Sequence, residues 1–223
     1  MARRSVRGDM LRHALAQEAA RLIVEHGIDD YGLAKRKAAE RLGVTDHAVL
    51  PKNTEIEAAL AGHHRLFGSD SHAGELAQLR RHAVDAMRLL DRFEPRLVGP
   101  VLSGNATAHS DITLHLFADT PESVVLALMD AGIRYRVAER RVKALRDESQ
   151  AFPSLCFEAG GCGVEAIVFP RDGIRQPPFS PVDGRPMRRA TRQEVEALLE
   201  EEEGSDPARR GQSPFGDSPR RRD

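Results

Sequence analysis

Residues 97–117, LVGPVLSGNATAHSDITLHLF, hold most of the side chains in this chain that could do chemistry. The apolar residues 97–102 close on Ser103 and Gly104, a polar loop follows, and Asp111 stands at the head of a second apolar run, 112–117. That run alternates. It predicts a half-buried strand with Ile112, Leu114 and Leu116 on one face and Asp111, Thr113, His115 and Phe117 on the other. An acid therefore sits where a strand leaves a glycine-containing turn. Other candidates carry less. Cys156 and Cys162 lack CxxC spacing, which argues against a zinc site, and they are not read as nucleophiles. His63, His64 and His72 suggest metal ligands, but adjacent histidines on a helix diverge and no carboxylate partner is evident, so they are read as a solvated cluster. No GxxxxGK[ST] loop and no Ser/His/Asp order stands out, which disfavours a P-loop ATPase and a triad hydrolase.

The 97–117 pattern resembles the nucleotidyltransferase superfamily with the DNA polymerase β type of catalytic domain. Bacterial members carry a strand ending in Gly-Ser, a short glycine-containing turn, and Ser-Asp-Ile-Asp-Leu on the next strand. Gly99 falls on the first glycine, Gly104 on the second, and residues 110–114, SDITL, on the acidic motif. The resemblance implies a metal-dependent reaction on a nucleoside triphosphate, with Mg²⁺ as cofactor. It implies a phosphate-binding turn at Gly99, Ser103 and Gly104, with Ser110 beside it, and Asp111 as a catalytic metal ligand. In the family a third carboxylate comes from a later strand, and Glu165 in GVEAIV is the matching residue. Arg134 or Arg136 would neutralise phosphate charge, a task that fixed guanidinium groups suit.

Two positions depart from the family. Pro100 stands where the phosphate-contacting Ser is expected, and Thr113 where the second Asp is expected. Two acids at alternate strand positions point to one face and can both reach the metals of a two-metal clamp. Threonine is neutral and a poor Mg²⁺ ligand beside a carboxylate. Proline removes an N–H donor that could hold a phosphate oxygen. Three outcomes follow: weak transfer activity, nucleotide binding without turnover, or a retained fold with another role. Whether the chain is an enzyme stays open at this level.

The elements that must position these residues read as an α+β protein, with a helical N-terminal domain over 1–70, a small mixed-sheet nucleotidyltransferase-like domain over 71–203, and a disordered tail over 204–223. Helical apolar spacing covers about 9–25 and 31–42. Residues 39–49 resemble the core of a helix-turn-helix, but Pro51 interrupts the second helix, so a glycine-capped helix end is the preferred reading. Thr54 and Glu57 form a capping box that opens a third helix ending near Phe67, and 73–93 reads as a long helix feeding the 97–102 strand. Thr120 and Pro121 open a helix that stops at Gly132, and 133–145 reads as a strand. Gly160 and Gly161 join strands 154–158 and 163–169 in a hairpin, with Cys156 opposite Glu165 and Phe157 opposite Val164. The Pro-rich stretch 176–186 reads as an arm packed back on the sheet, and Thr191 and Glu194 cap a last helix. Residues 204–223 contain almost nothing apolar.

With 223 residues and 40% hydrophobic content the chain can bury a sizeable core, and its formal charge of −1 argues against a protein built chiefly to bind polyanions. No apolar run approaches a membrane span, and the basic, polar start of the chain has no signal-peptide pattern, so a cytoplasmic protein with no membrane partner is expected. Two other functions compete with the first. One is a DNA-binding or regulatory protein that uses the N-terminal helices, with Arg36, Lys37 and Arg41 meeting nucleic acid. The other is a non-catalytic structural or interaction role.

Overall fold

The computed structural model describes residues 2–28, 30–67, 69–143 and 148–205. Apolar residues recurring every three or four positions produce α1 (Ala2–His26), α2 (Tyr31–Arg41) and α3 (Asn53–Phe67). Asp30 caps α2 by accepting from the Leu33 N–H at 2.5 Å. Leu15, Ala19, Leu22, Ala34, Ala38 and Ile56 are fully or almost fully buried together, forming a small core of their own. After Gly43 the chain makes a single 3₁₀ turn, His47–Val49, and regular helix resumes only at Asn53, beyond Pro51. The segment resembling a helix-turn-helix therefore has no helix directly after its turn.

α4 (Ser69–Leu89) leads through a short turn into β1 (Arg96–Val98), and α5 (Pro100–Ser103) separates β1 from β2 (Ile112–Phe117). Then come α6 (Pro121–Asp130), β3 (Tyr135–Lys143), β4 (Ser149–Ala159), β5 (Cys162–Phe169) and α7 (Arg192–Ser205). The architecture is α+β, with the helical segment preceding the sheet. The five strands lie in the order β1-β2-β5-β4-β3, with β2 and β5 parallel and the other neighbours antiparallel. Gly160 and Gly161 both have positive φ, +60° and +81°, as a tight two-residue hairpin turn demands. That turn sets Cys156 opposite Glu165 and Phe157 opposite Val164, the register the sequence predicts. Residues 206–223, most of the expected tail, lie outside the described residues.

Alternation divides the sheet into two faces. Ile112, Leu114, Leu116, Leu155, Val164, Ala166 and Val168 pack under α4, α6 and α7, and Leu114 is fully buried. Truncating such a residue to Ala costs about 2–5 kcal/mol. On the other face, Phe117, Phe152, Ile167 and Phe169 form a second apolar layer. The arm that follows β5 is fastened over this layer by Arg189. Its Nε donates to His115 Nδ1 at 3.0 Å, one terminal nitrogen donates to the Gly173 carbonyl at 2.8 Å, and its guanidinium lies about 5 Å from the Phe117 and Phe169 rings. The part of the arm that Arg189 fastens covers one end of this face. The other end, carrying Asp111 and Thr113, faces a cavity that the helical segment and the rest of the arm close. Among the described residues no helix is long and apolar enough to cross a membrane.

Candidate functional site

The site begins at a bend. The strand expected over 97–102 stops at Val98, because Gly99 takes φ +75° and Pro100 begins α5 at a position where its missing N–H costs nothing. A Cβ on Gly99 would lie 3.9 Å from Thr113 Oγ1, so a side chain there would project toward the sheet's open end as well as strain the backbone. From α4, the buried Arg80 reaches behind α5. Its Nε donates to the Val101 carbonyl at 3.1 Å and a terminal nitrogen to the Leu102 carbonyl at 3.2 Å, while its other terminal nitrogen pairs with Glu202. Carbonyls that a one-turn helix leaves unpaired are thereby satisfied and the bend is held in place.

Asp111 lies just ahead of β2, exposed, and carries no ion pair among the described residues. Its carboxylate sits directly over Gly163 of β5: a Cβ there would fall 2.1 Å from Asp111 Oδ1. Thr113 pairs with Glu165 across the parallel β2–β5 ladder, and Glu165 pairs with Cys156, which pairs with Arg136. Thr113, Glu165, Cys156 and Arg136 therefore form one row on the same face as Asp111. Glu165 is not free on that face. Arg140 of β3 holds it at 2.8 Å, and its side chain is 15% exposed.

A cavity of about 500 Å³ opens beside the bend, of a size that suits a small organic ligand. Gly99, Pro100, Ser103, Ser110, Asp111 and Thr113 form its sheet side. Ile28, Tyr31, Glu57 and Leu60 close it from the helical segment, and Val182, Met187 and Arg188 from the arm. Of the sequence-predicted residues, Gly99, Ser103, Ser110 and Asp111 line this cavity. Gly104, Arg134, Arg136 and Glu165 do not line it. Gly104 ends α5 and its carbonyl meets His72 Nε2 at 3.1 Å; Arg134 is exposed just ahead of β3. Ser110 also serves the loop, its Oγ accepting from the Thr107 N–H at 2.9 Å.

No protein-family model and no curated protein sequence matches this chain.

The electrostatics of the cavity are set by its own side chains. Glu57, Asp111 and Asp183 supply three carboxylates and Arg188 the guanidinium. The backbone N–H of Arg185 holds the Asp183 carboxyl below the usual range. Glu57 accepts from the Tyr31 hydroxyl on one oxygen and from the Asn105 amide on the other. The sequence reading assigned Glu57 to a capping box with Thr54. The structure starts α3 earlier, at Asn53: Glu55 accepts from the Lys52 N–H at 2.6 Å, which leaves Glu57 to face the cavity. A glutamate three residues after Ser or Thr is the sequence signal for this cap, and Thr54–Glu57 carries it while Lys52–Glu55 does not, so the pattern points to the wrong glutamate. The three histidines are also less solvated than expected, for His64 stacks on His72 with ring centroids 3.7 Å apart and burial pulls its pKa down to about 4.

The donor set does not fit a two-metal clamp. Thr113 occupies the position of a second strand carboxylate, Glu165 is engaged by Arg140, and among the described residues no three His, Cys, Asp or Glu side chains are grouped as a metal ion requires. What remains is a largely apolar chamber between two segments of the chain, with an aspartate that has no ion pair among the described residues, hydroxyls and a backbone bend on its sheet side, and a glutamate bound by neutral donors on its helical side.

Proposed function

We propose that the cavity binds a nucleotide on a nucleotidyltransferase-like scaffold whose metal-dependent transfer chemistry is weakened or lost. The observation that carries this reading is the juxtaposition of Asp111, Thr113 and the Gly99–Pro100 bend on the wall of a 500 Å³ cavity, with Glu165 drawn away from it by Arg140. Apolar walls suit a base and the carbon face of a sugar, and Arg188 at the arm side suits a phosphate. Asp111, carrying no cation, accepts from ligand hydroxyls. With Thr113 beside it, Mg²⁺ contributes little to affinity.

Isothermal titration of the full chain with nucleoside triphosphates, with and without Mg²⁺, tests this. Binding is expected in both conditions, and Asp111→Asn is expected to weaken it about tenfold, the loss of one hydrogen bond to a charged acceptor. Thr113→Asp is expected to make binding strongly Mg²⁺-dependent, because it supplies the second carboxylate at the alternate position. Failure of the parent chain to bind any nucleotide would sink the proposal. Efficient Mg²⁺-dependent nucleotidyl transfer by the parent would sink the part that concerns weakened chemistry.

A further inference from the structure

We infer that Glu57 reads the base of the bound nucleotide and that the base it selects is guanine. This rests on the nucleotide reading of the cavity and deepens it to a substrate class. Glu57 lies on the wall that the helical segment supplies, with Ile28, Tyr31 and Leu60, whereas Asp111 lies on the wall that the sheet segment supplies. Each of its oxygens already accepts once, from the Tyr31 hydroxyl and from the Asn105 amide. A carboxylate has about four acceptor sites, so each oxygen keeps one for a ligand. Both present partners are neutral, and among the described residues no cation pairs with Glu57, so no counter-charge competes with a ligand's donors for its oxygens.

Such a group discriminates among bases by their hydrogen-bonding edges. Guanine presents two adjacent donors, N1–H and N2–H, at a spacing that matches the two oxygens of one carboxylate. Adenine presents one N–H beside the N1 lone pair, and cytosine one N–H beside the N3 lone pair; each lone pair would face carboxylate oxygen. Uracil presents a single N–H flanked by two carbonyls. A base that offers one donor and one lone pair forfeits a hydrogen bond to a charged acceptor and sets its lone pair against carboxylate oxygen, so the site rejects it. With the base against Glu57, sugar and phosphate extend toward Asp111, the Gly99–Pro100 bend and Arg188.

The test is isothermal titration of the full chain with GTP, ITP and ATP without metal, on the parent, Glu57→Gln and Tyr31→Phe, with thermal melts to establish folding. The parent is expected to bind GTP at least about tenfold tighter than ATP, with ITP, which lacks the N2 amine, in between. Glu57→Gln is expected to bring GTP and ATP within about twofold, since the amide turns an N–H₂ toward guanine's donors. Tyr31→Phe removes one of the two donors that orient the Glu57 carboxylate and is expected to narrow the preference for GTP without abolishing it. Equal binding of GTP and ATP by the parent, or a preference that survives Glu57→Gln, overturns the role of Glu57 while leaving nucleotide binding standing. Binding of neither nucleotide overturns both readings together.

Discussion

Asp111 owes its position to a residue that has no side chain. Its carboxylate lies where the Cβ of any other residue at 163 would be, 2.1 Å from Oδ1. Gly163 has no need of glycine on backbone grounds, because its φ is not in the left-handed region. Its role is to leave room. In Gly163→Ala the methyl group displaces the flexible end of Asp111 and the ladder survives, so nucleotide affinity is expected to fall about tenfold, as in Asp111→Asn, with little change in melting temperature. In the Asp111→Asn background the same substitution is expected to add little, because both remove one interaction; titration of the two single variants and the double variant checks this. Additive losses would mean that Gly163 acts on the site by another route. The alternation of 111–117 made the shared face of Asp111 and Thr113 legible in the sequence. The pairing of Gly163 with Asp111 was not legible, because it depends on β5 lying beside β2.

At the scale of elements, the Gly160–Gly161 turn shows what sequence can and cannot settle. Two glycines in a two-residue loop fix register, so Cys156 opposite Glu165 followed from local chemistry. Strand order did not follow. The capture of Glu165 by Arg140 depends on β3 lying beside β4 at the sheet's edge, and no local pattern specifies that neighbour. The arm over the sheet is a second case: its Pro-rich sequence signals a loop, yet its course is fixed by distant partners, backbone pairing of Phe179 with Lys143 and of Ala190 with Leu97 together with the Arg189 cation. Arg189 needs a neutral acceptor at His115, and burial supplies it by driving the His115 pKa down to about 3, with the nearby guanidinium adding to the effect. The unfolded chain binds a proton at this histidine below about pH 6.5, whereas the folded chain does not until about pH 3. Stability is therefore expected to fall as pH drops through that window, by about 1.4 kcal/mol per pH unit for this residue at full slope. His64, with its pKa near 4, works in the same direction. Urea unfolding between pH 7 and 4.5 checks the sign. His115→Leu is expected to be less stable at pH 7, since Arg189 loses an acceptor, but to show a shallower dependence on pH. An unchanged slope would mean that His115 is protonated when folded.

Among the described residues there are three buried apolar clusters, one among α1 to α3 and one on each face of the sheet, and the cavity is walled by residues from the helical segment and from the sheet segment. Few polar contacts tie them together at this boundary. Asn53 donates to the Pro181 carbonyl at 2.7 Å, and Glu57 accepts from Asn105. A ligand seated there contacts both segments at once, so it stabilises their association as well as itself; at about 100 times its Kd it contributes about 2.7 kcal/mol to the folded, joined state. Hydrogen exchange of the full chain at saturating nucleotide is then expected to slow at two separated places: the starts of α2 and α3 near Tyr31 and Glu57, and the 99–111 bend and loop. Exposed parts of β3, where Arg141 and Lys143 lie, are expected to be unaffected. Slowing confined to the sheet side would place the ligand on the open face alone and leave the helical segment without a part in recognition. Slowing centred on β3 would place the anion on its arginines instead of in the cavity.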